Sequence, residues 1–430
     1  MEYRRVKLKD MDMNIKLRIK KFDWFLSYIY FYLFVLPWHF SKSQISILSV
    51  ILFIWATIKF RKEAVLKCKQ IITFTPLLVL FLFIIYTYIS TLWSDSISIG
   101  FEHVNTFNKY YFLFIPALLI SLNKENAIIG IKVLVLSFGC YSLYSILIYL
   151  GFFNSSEYGF QPSNPTGHLR YLIATQYMVI AFFSASLFVY YMQSKKEKFL
   201  FLLIALLSFF ALFINNSRTA QLTFFLIFII FSILLLQKKI FNIKVIFLFF
   251  IIIFSSIYFL YENNKLNRFV IAYEESKIVF DDDTYNGSTG LRMYFNKVGF
   301  DIFKNNYIVG TGPKDNRLLL QSIQRDDPLY KTRVINHFHS EHMDTLTAYG
   351  LVGYLLLVFS IIILIYNLRK ESLYYYLSLV VFLSLFFNSF ANKTLSVKPL
   401  NYVYIIMFLL FAIIAFKSQK NKKDNIENHS

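Results

Sequence analysis

Charge is scarce in this sequence. Only 16% of its 430 residues are Asp, Glu, Lys or Arg, and the acidic ones number 25 against 44 basic. A chain of this length with so little charge cannot cover a folded surface for water, because too much apolar area would stay exposed. Cysteine is nearly absent. Cys68 lies in a basic connection and Cys140 in an apolar run, so no disulfide framework is implied. No Gly-rich phosphate-cradling loop occurs, which argues against a nucleotide cofactor, and there is no internal repeat of fixed period. The first apolar run also lacks a small-residue cleavage site, so it is expected to be a retained helix and not a removed signal segment.

What is present is apolar and aromatic. Hydrophobic residues make up 57% of the chain and aromatic residues 20%, and mean hydropathy is +0.52. Lipid is the solvent that fits. The net charge of +19 could indicate nucleic acid, but the excess Lys and Arg lies at the termini and in short connections. That is a topology signal, not a phosphate-binding groove, so no nucleic-acid partner is expected.

Apolar runs at 24–40, 44–60, 74–93, 110–121, 127–151, 170–193, 199–215, 219–236, 241–261, 344–367, 373–391 and 401–417 predict an all-α polytopic protein with about twelve spans. The basic N-terminal segment 1–21, with Arg4, Arg5, Lys7 and Lys9, should be cytoplasmic. Twelve spans keep the other basic clusters, from Lys59/Arg61/Lys62 to the tail with Lys417 and Lys420, on that same side. The organisation expected is nine spans in 1–261, a large outer loop in 262–343, three spans in 344–417 and a basic tail in 418–430. Within the loop, Leu291, Tyr294, Phe295, Val298, Ile302 and Phe303 fall at helical spacing behind the capping residues Ser288 and Thr289. Asp281, Asp282 and Asp283 read as a solvated turn leading into that helix.

Candidate chemistry gathers on the outer side. Arg218 follows Asn215, Asn216 and Ser217 in a turn between two apolar runs. It reads either as an interfacial anchor or as a planar cation for a phosphate oxygen pair. Arg292 is expected in the first turn of the loop helix, where it opposes the helix dipole unless an anion docks there. His337, His339 and His342 stand within six positions, beside Glu341. They read as metal ligands, as a source of one neutral general base, or as a polar lead-in to a helix. Their spacing matches no zinc signature and leaves a fourth ligand unassigned. His168 and Arg170, ahead of the sixth span, are secondary candidates for a substrate entrance or for interfacial anchoring.

At His339-Ser340, followed by nine residues and Gly350-Leu351-Val352-Gly353, the sequence resembles the O-antigen ligase family within the Wzy-type ligase and polymerase superfamily. That family's pattern is His, then Asn, Ser or Gln, nine residues, and Gly-x-x-Gly. An arginine between its seventh and eighth spans matches Arg218. Another early in its outer loop, followed by an aromatic-rich helix and a Gly-x-Gly turn, matches Arg292 and Gly310-Thr311-Gly312. The resemblance spans the whole topology.

It implies a metal-independent, cofactor-free membrane glycosyltransferase of the GT-C kind on the periplasmic face of the bacterial inner membrane. The donor would be O-antigen on undecaprenyl pyrophosphate and the acceptor a sugar hydroxyl of lipid A-core. Arg218 and Arg292 would hold the pyrophosphate, and His339 would act as base. An O-antigen polymerase and a protein O-oligosaccharyltransferase are rival readings within the superfamily. A lipid-linked oligosaccharide transporter is the rival outside it, but that expects ionisable residues buried mid-span, which the apolar runs nearly lack.

Overall fold

The computed structural model describes residues 23–62, 73–153, 164–237, 267–326 and 334–427, with isolated positions between 251 and 262. Every regular element among the described residues is helical. The chain opens with α1 (Trp24–Val35), α2 (Lys42–Lys59), α3 (Thr75–Ile89), α4 (Ile97–Asn108) and α5 (Tyr111–Ser121). Next come α6 (Lys124–Tyr149), α7 (Tyr171–Tyr191), α8 (Lys195–Ile214) and α9 (Arg218–Gln237). The loop contributes α10 (Asn267–Asp282), α11 (Gly287–Asn305) and α12 (Asp315–Asp326). The chain closes with α13 (Glu341–Leu368), α14 (Ser372–Ser389) and α15 (Lys398–Glu427).

Seven of these, α3 with its 3-10 extension, α6, α7, α8, α13, α14 and α15, are long and apolar enough to cross a membrane. The apolar stretches Trp24–Trp38, Ser43–Lys59 and Arg218–Leu234, carried by α1, α2 and α9, are shorter. The protein is therefore an all-helical, multi-pass membrane protein, although the described residues do not supply twelve spans. The basic segment 1–21 and most of the expected span at 241–261 lie outside the described residues. The run at 110–121 becomes α5, with 11 residues. At 1.5 Å per residue it covers about 16 Å, roughly half the apolar thickness of a bilayer. Before it stands α4, an amphipathic helix the apolar runs do not announce.

Two helices form the centre. α7 and α15 are enclosed by protein along nearly their whole apolar length. α8 packs on α6 and α7, α14 on α7, and α15 on α6 and α13. Phe138 of α6 stacks on Tyr177 of α7, with ring centroids 4.8 Å apart and an interplanar angle of 11°. The helix caps are local chemistry: Asn123 accepts the Asn126 N–H at α6, and Ser340 accepts the Met343 N–H at α13.

The loop helices carry a separate small core of Val279, Tyr285, Tyr294, Phe295, Val298, Ile302, Leu320 and Phe338. The helical spacing read for the loop is thus real, but three expectations about the helix start are corrected. α11 begins at Gly287 with Asn286 as N-cap, so Arg292 lies in its second turn. Ser288 and Thr289 do not cap it; the Glu275 carboxylate of α10 accepts the Thr289 N–H at 2.7 Å. Asp281 and Asp282 close α10, while Asp283, at φ +50°, pairs with Lys297 at 3.0 Å. The sequence missed α10 because its apolar residues do not form one clean stripe.

The loop is stitched to the membrane domain at a break in α13. Gly350 adopts φ 63° and ψ −168° inside that helix, a conformation open essentially to glycine alone. The break frees backbone groups on both sides, which must find other partners. The carbonyls of Thr347 and Ala348 accept the N–H groups of Thr311 and Gly312, at 2.9 and 3.1 Å. The N–H groups of Leu351 and Val352 donate to Tyr307 and Ile308, at 2.8 and 3.1 Å. A Cβ on Gly350 would collide with the Ile308 carbonyl, and one on Gly310 with the Ala348 carbonyl. Gly350→Ala and Gly310→Ala are each expected to destabilise the protein by about 2–4 kcal/mol, seen as a lower melting temperature in detergent. An unchanged melting temperature for both would refute the stitch.

Candidate active site

Arg218 is the first residue of α9, delivered by a firmly held turn. The Asn215 side-chain amide donates to Ala211 O at 2.7 Å and to Ser145 Oγ at 3.1 Å. Gln221 Nε2 donates to Asn215 O at 2.9 Å, and the Asn216 N–H donates to Asn164 Oδ1 at 2.8 Å. Asn215 Oδ1 and Ser217 Oγ are buried without a hydrogen-bond partner among the described residues, next to Arg218. The dipole argument made for Arg292 therefore belongs to Arg218. It is this cation that stands at a helix N-terminus, a position an incoming anion would stabilise.

Arg292 rises from α11 toward the same place. Burial and the nearby Arg218 charge weaken its hold on its proton, whereas Tyr171 and Glu275 act the other way. The two guanidinium groups thus lie within range of each other's charge. His339 completes the group. It stands at φ 53°, just before the α13 cap, and its ring stacks on Phe295 of α11 at 5.7 Å and 17°. Burial, with the Arg292 and Lys393 charges, holds His339 down at about 4. The imidazole is therefore neutral near pH 7, with a lone pair available. The structure thus brings together Arg218, Arg292 and His339 from three separate parts of the chain.

The remaining histidines divide. His337 lies against His339, with ring centroids 4.1 Å apart, and bonds Asn336. Burial and the Lys393 and His339 charges push His337 down to about 3. His342 faces the other way, its ring nitrogens 3.0 Å from Phe386 O and 3.1 Å from the Tyr354 hydroxyl. The three rings do not converge, and no cluster of three or more ligating side chains fit for a metal occurs among the described residues. His168 bonds the Trp38 carbonyl and stacks on Phe40 at 5.2 Å, in an aromatic group with Tyr141 and Tyr144. Arg170 is exposed at the start of α7, next to the Tyr171 that acts on Arg292.

Sequence reasoning missed a buried polar network beneath this group. Arg317 of α12 and Asp344 of α13 form a two-point ion pair, with Arg317 Nε to Asp344 Oδ1 at 3.0 Å and Arg317 Nη2 bonded to Asp344 Oδ2. Both are at most 8% exposed. Asn316 Nδ2 donates to Asp344 O at 3.1 Å and to Thr347 Oγ1 at 2.9 Å. With Glu341, Tyr349, Ser396 and His103, these residues line a polar cavity. Asp344→Ala would leave the Arg317 charge buried and unpaired, at an expected cost of about 3–5 kcal/mol. A melting curve unchanged from the parent would show the pair to be idle.

The helical fold and these polar clusters define a multi-pass membrane protein whose loop helices meet its apolar helices at a cationic, histidine-bearing site. Residues 203–358 match the family model described as O-antigen ligase. That stretch, which includes Arg218, Arg292, His339 and all the glycines of the stitch, is similar to the O-antigen ligase family. Members of this family are membrane enzymes of the glycosyltransferase kind. No curated protein matches the chain.

Proposed function

We propose that the chain is an O-antigen ligase. It moves O-antigen polysaccharide from undecaprenyl pyrophosphate to a sugar hydroxyl of lipid A-core on the periplasmic face of the inner membrane. The observation that carries this reading is the meeting of two arginines and one neutral histidine at a single place.

The chemistry follows from those groups. A ring nitrogen of His339 takes the proton from the acceptor hydroxyl as that oxygen attacks the anomeric carbon. The bond from that carbon to the pyrophosphate oxygen breaks, and its electron pair leaves on the pyrophosphate. Arg218 and Arg292 neutralise the charge that develops there. The donor is already activated, so the chain's own residues suffice without a nucleotide. Burial first, and then the Arg292 and Lys393 charges, keep His339 a weak base in the free protein.

Because His339 must be neutral, kcat/KM is expected to fall on the acid side with an apparent pKa near 4, the value of the free protein. An acid limb near 6.5 would show that the imidazole is not held in this way.

An O-antigen polymerase is the nearest alternative, since it would use the same two arginines. The histidine pattern at His339-Ser340 favours the ligase. A deletion strain tests the choice by gel analysis of its lipopolysaccharide. Loss of a ligase leaves full-length polymer on the lipid carrier and bare core; core bearing a single repeat unit would instead identify a polymerase.

A further inference from the structure

Glu341 lies two residues after His339 and is 6% exposed. A carboxylate so deeply placed must find donors, and it finds them in one short segment between α14 and α15. The Thr394 N–H donates to Glu341 Oε2 at 2.9 Å, and the Ser396 N–H to the same oxygen at 3.0 Å. Ser396 Oγ lies 3.0 Å from Glu341 Oε1, 3.2 Å from Asp344 Oδ2 and 3.2 Å from Arg317 Nη2. The Glu341 backbone N–H donates to Asn392 O at 3.1 Å. Glu341 thus binds the residue before Lys393 and the residue after it. Ser340 Oγ adds a bond to Ser389 O at 3.1 Å, and Ser389 Oγ meets Thr394 Oγ1 at 2.7 Å. Lys393 is half-buried, and its charge acts on His337, His339 and His103.

We propose that Glu341 is a positioning residue, whose carboxylate clamps the 392–396 segment and so holds in place Lys393, the cation whose charge acts on His339 together with that of Arg292. Burial among these groups, with Arg317 nearby, brings Lys393 down to about 8, in keeping with a cation held in a confined polar setting. The carboxylate acts through geometry. Two of its three donors are backbone N–H groups, which the side-chain oxygen of a glutamine amide can also accept, while Ser396 Oγ can accept from the amide nitrogen.

This inference rests on His339 being the base of the transfer. The assay uses full-length protein in detergent, with undecaprenyl pyrophosphate-linked oligosaccharide and lipid A-core extracted from a strain lacking the chain. Rates are normalised to folded protein. Glu341→Ala is expected to lower kcat about 100-fold, the effect of a displacement on the order of 1 Å, with KM for the donor unchanged. Glu341→Gln should restore kcat to within a few-fold of the parent. Lys393→Met should lower kcat similarly, and adding Glu341→Ala to it should lower it no further, because both changes remove the same placement. Ser396→Ala, which removes a single hydroxyl, gives the same comparison if Glu341→Ala fails to fold: a smaller drop in kcat, absent on the Lys393→Met background.

Parental kcat in Glu341→Ala, or in Ser396→Ala where that stands in for it, would overturn the clamp. So would effects that multiply with Lys393→Met. His339→Ala in the same assay separates the two claims. If it still transfers, the functional reading itself falls; if it is dead while Glu341→Ala is parental, only the clamp falls.

Discussion

Replacing His339 with alanine is expected to cut the transfer rate by about 10²–10⁴-fold, the usual range for a general base, without loss of folded protein. Its ring lies on the surface of the small loop core, stacked on Phe295 and tilted against His337. Removing it costs the fold little, since Phe338 supplies the buried anchor of that segment. The measurement is the proportion of lipid A-core capped with polymer in a deletion strain carrying the variant at parental abundance. Full capping would rule out His339 as the base. Loss of capping with accumulation of polymer on the carrier lipid is the outcome the chemistry requires. His337→Ala is a control that removes the neighbouring ring but leaves the base in place, and it should have a much smaller effect.

The second large effect belongs to Arg292. Its alanine variant should lose about 10²–10³-fold in kcat, comparable to removing one donor from an oxyanion-stabilising site. Lysine should rescue poorly, because an ammonium group cannot present two parallel N–H donors to a phosphate. A further signature separates this residue from a simple anchor. Arg292 is one of the two cations that help keep His339 at about 4. Removing a neighbouring cation makes the protonated imidazole less unfavourable, so the His339 pKa rises. The acid limb of kcat/KM should therefore move upward in Arg292→Gln, although Lys393 still acts on the ring. An acid limb that stays in place would mean the two residues do not share a site.

The composition made the all-helical membrane fold legible because lipid imposes long apolar runs, and these survive any detail of packing. Arg218 and Arg292 also read as an interfacial anchor and a surface arginine, and it was the family resemblance that singled them out. His339 stood out through its spacing to Gly350 and Gly353. What stayed hidden depends on pairs distant in sequence. Arg317 and Asp344 are 27 residues apart, and nothing in either neighbourhood signals an ion pair. Glu341 read as a metal ligand or as part of a polar lead-in, and its partners Thr394 and Ser396 drew no reading at all. α4 has only Gly100, Val104 and Asn108 as its buried face, too little apolar content to register. Even Arg292 was misplaced by a turn, because the acceptor for the Thr289 N–H at the start of α11 is Glu275, on another helix.

The stitch between 307–312 and 347–352 has a bearing on how such a site can diversify. Its bonds join main-chain groups and ask little of the sequence beyond the glycines, so most side chains around it can change without shifting the frame. Arg292 lies on the helix that runs into the stitch, and His339 opens onto the helix that the stitch interrupts. Their spacing is set by backbone, and the surrounding surface is left free to vary. Under the proposed transfer, a lineage can therefore exchange one polysaccharide or core sugar for another by ordinary drift at that surface, while Arg292 and His339 keep their register.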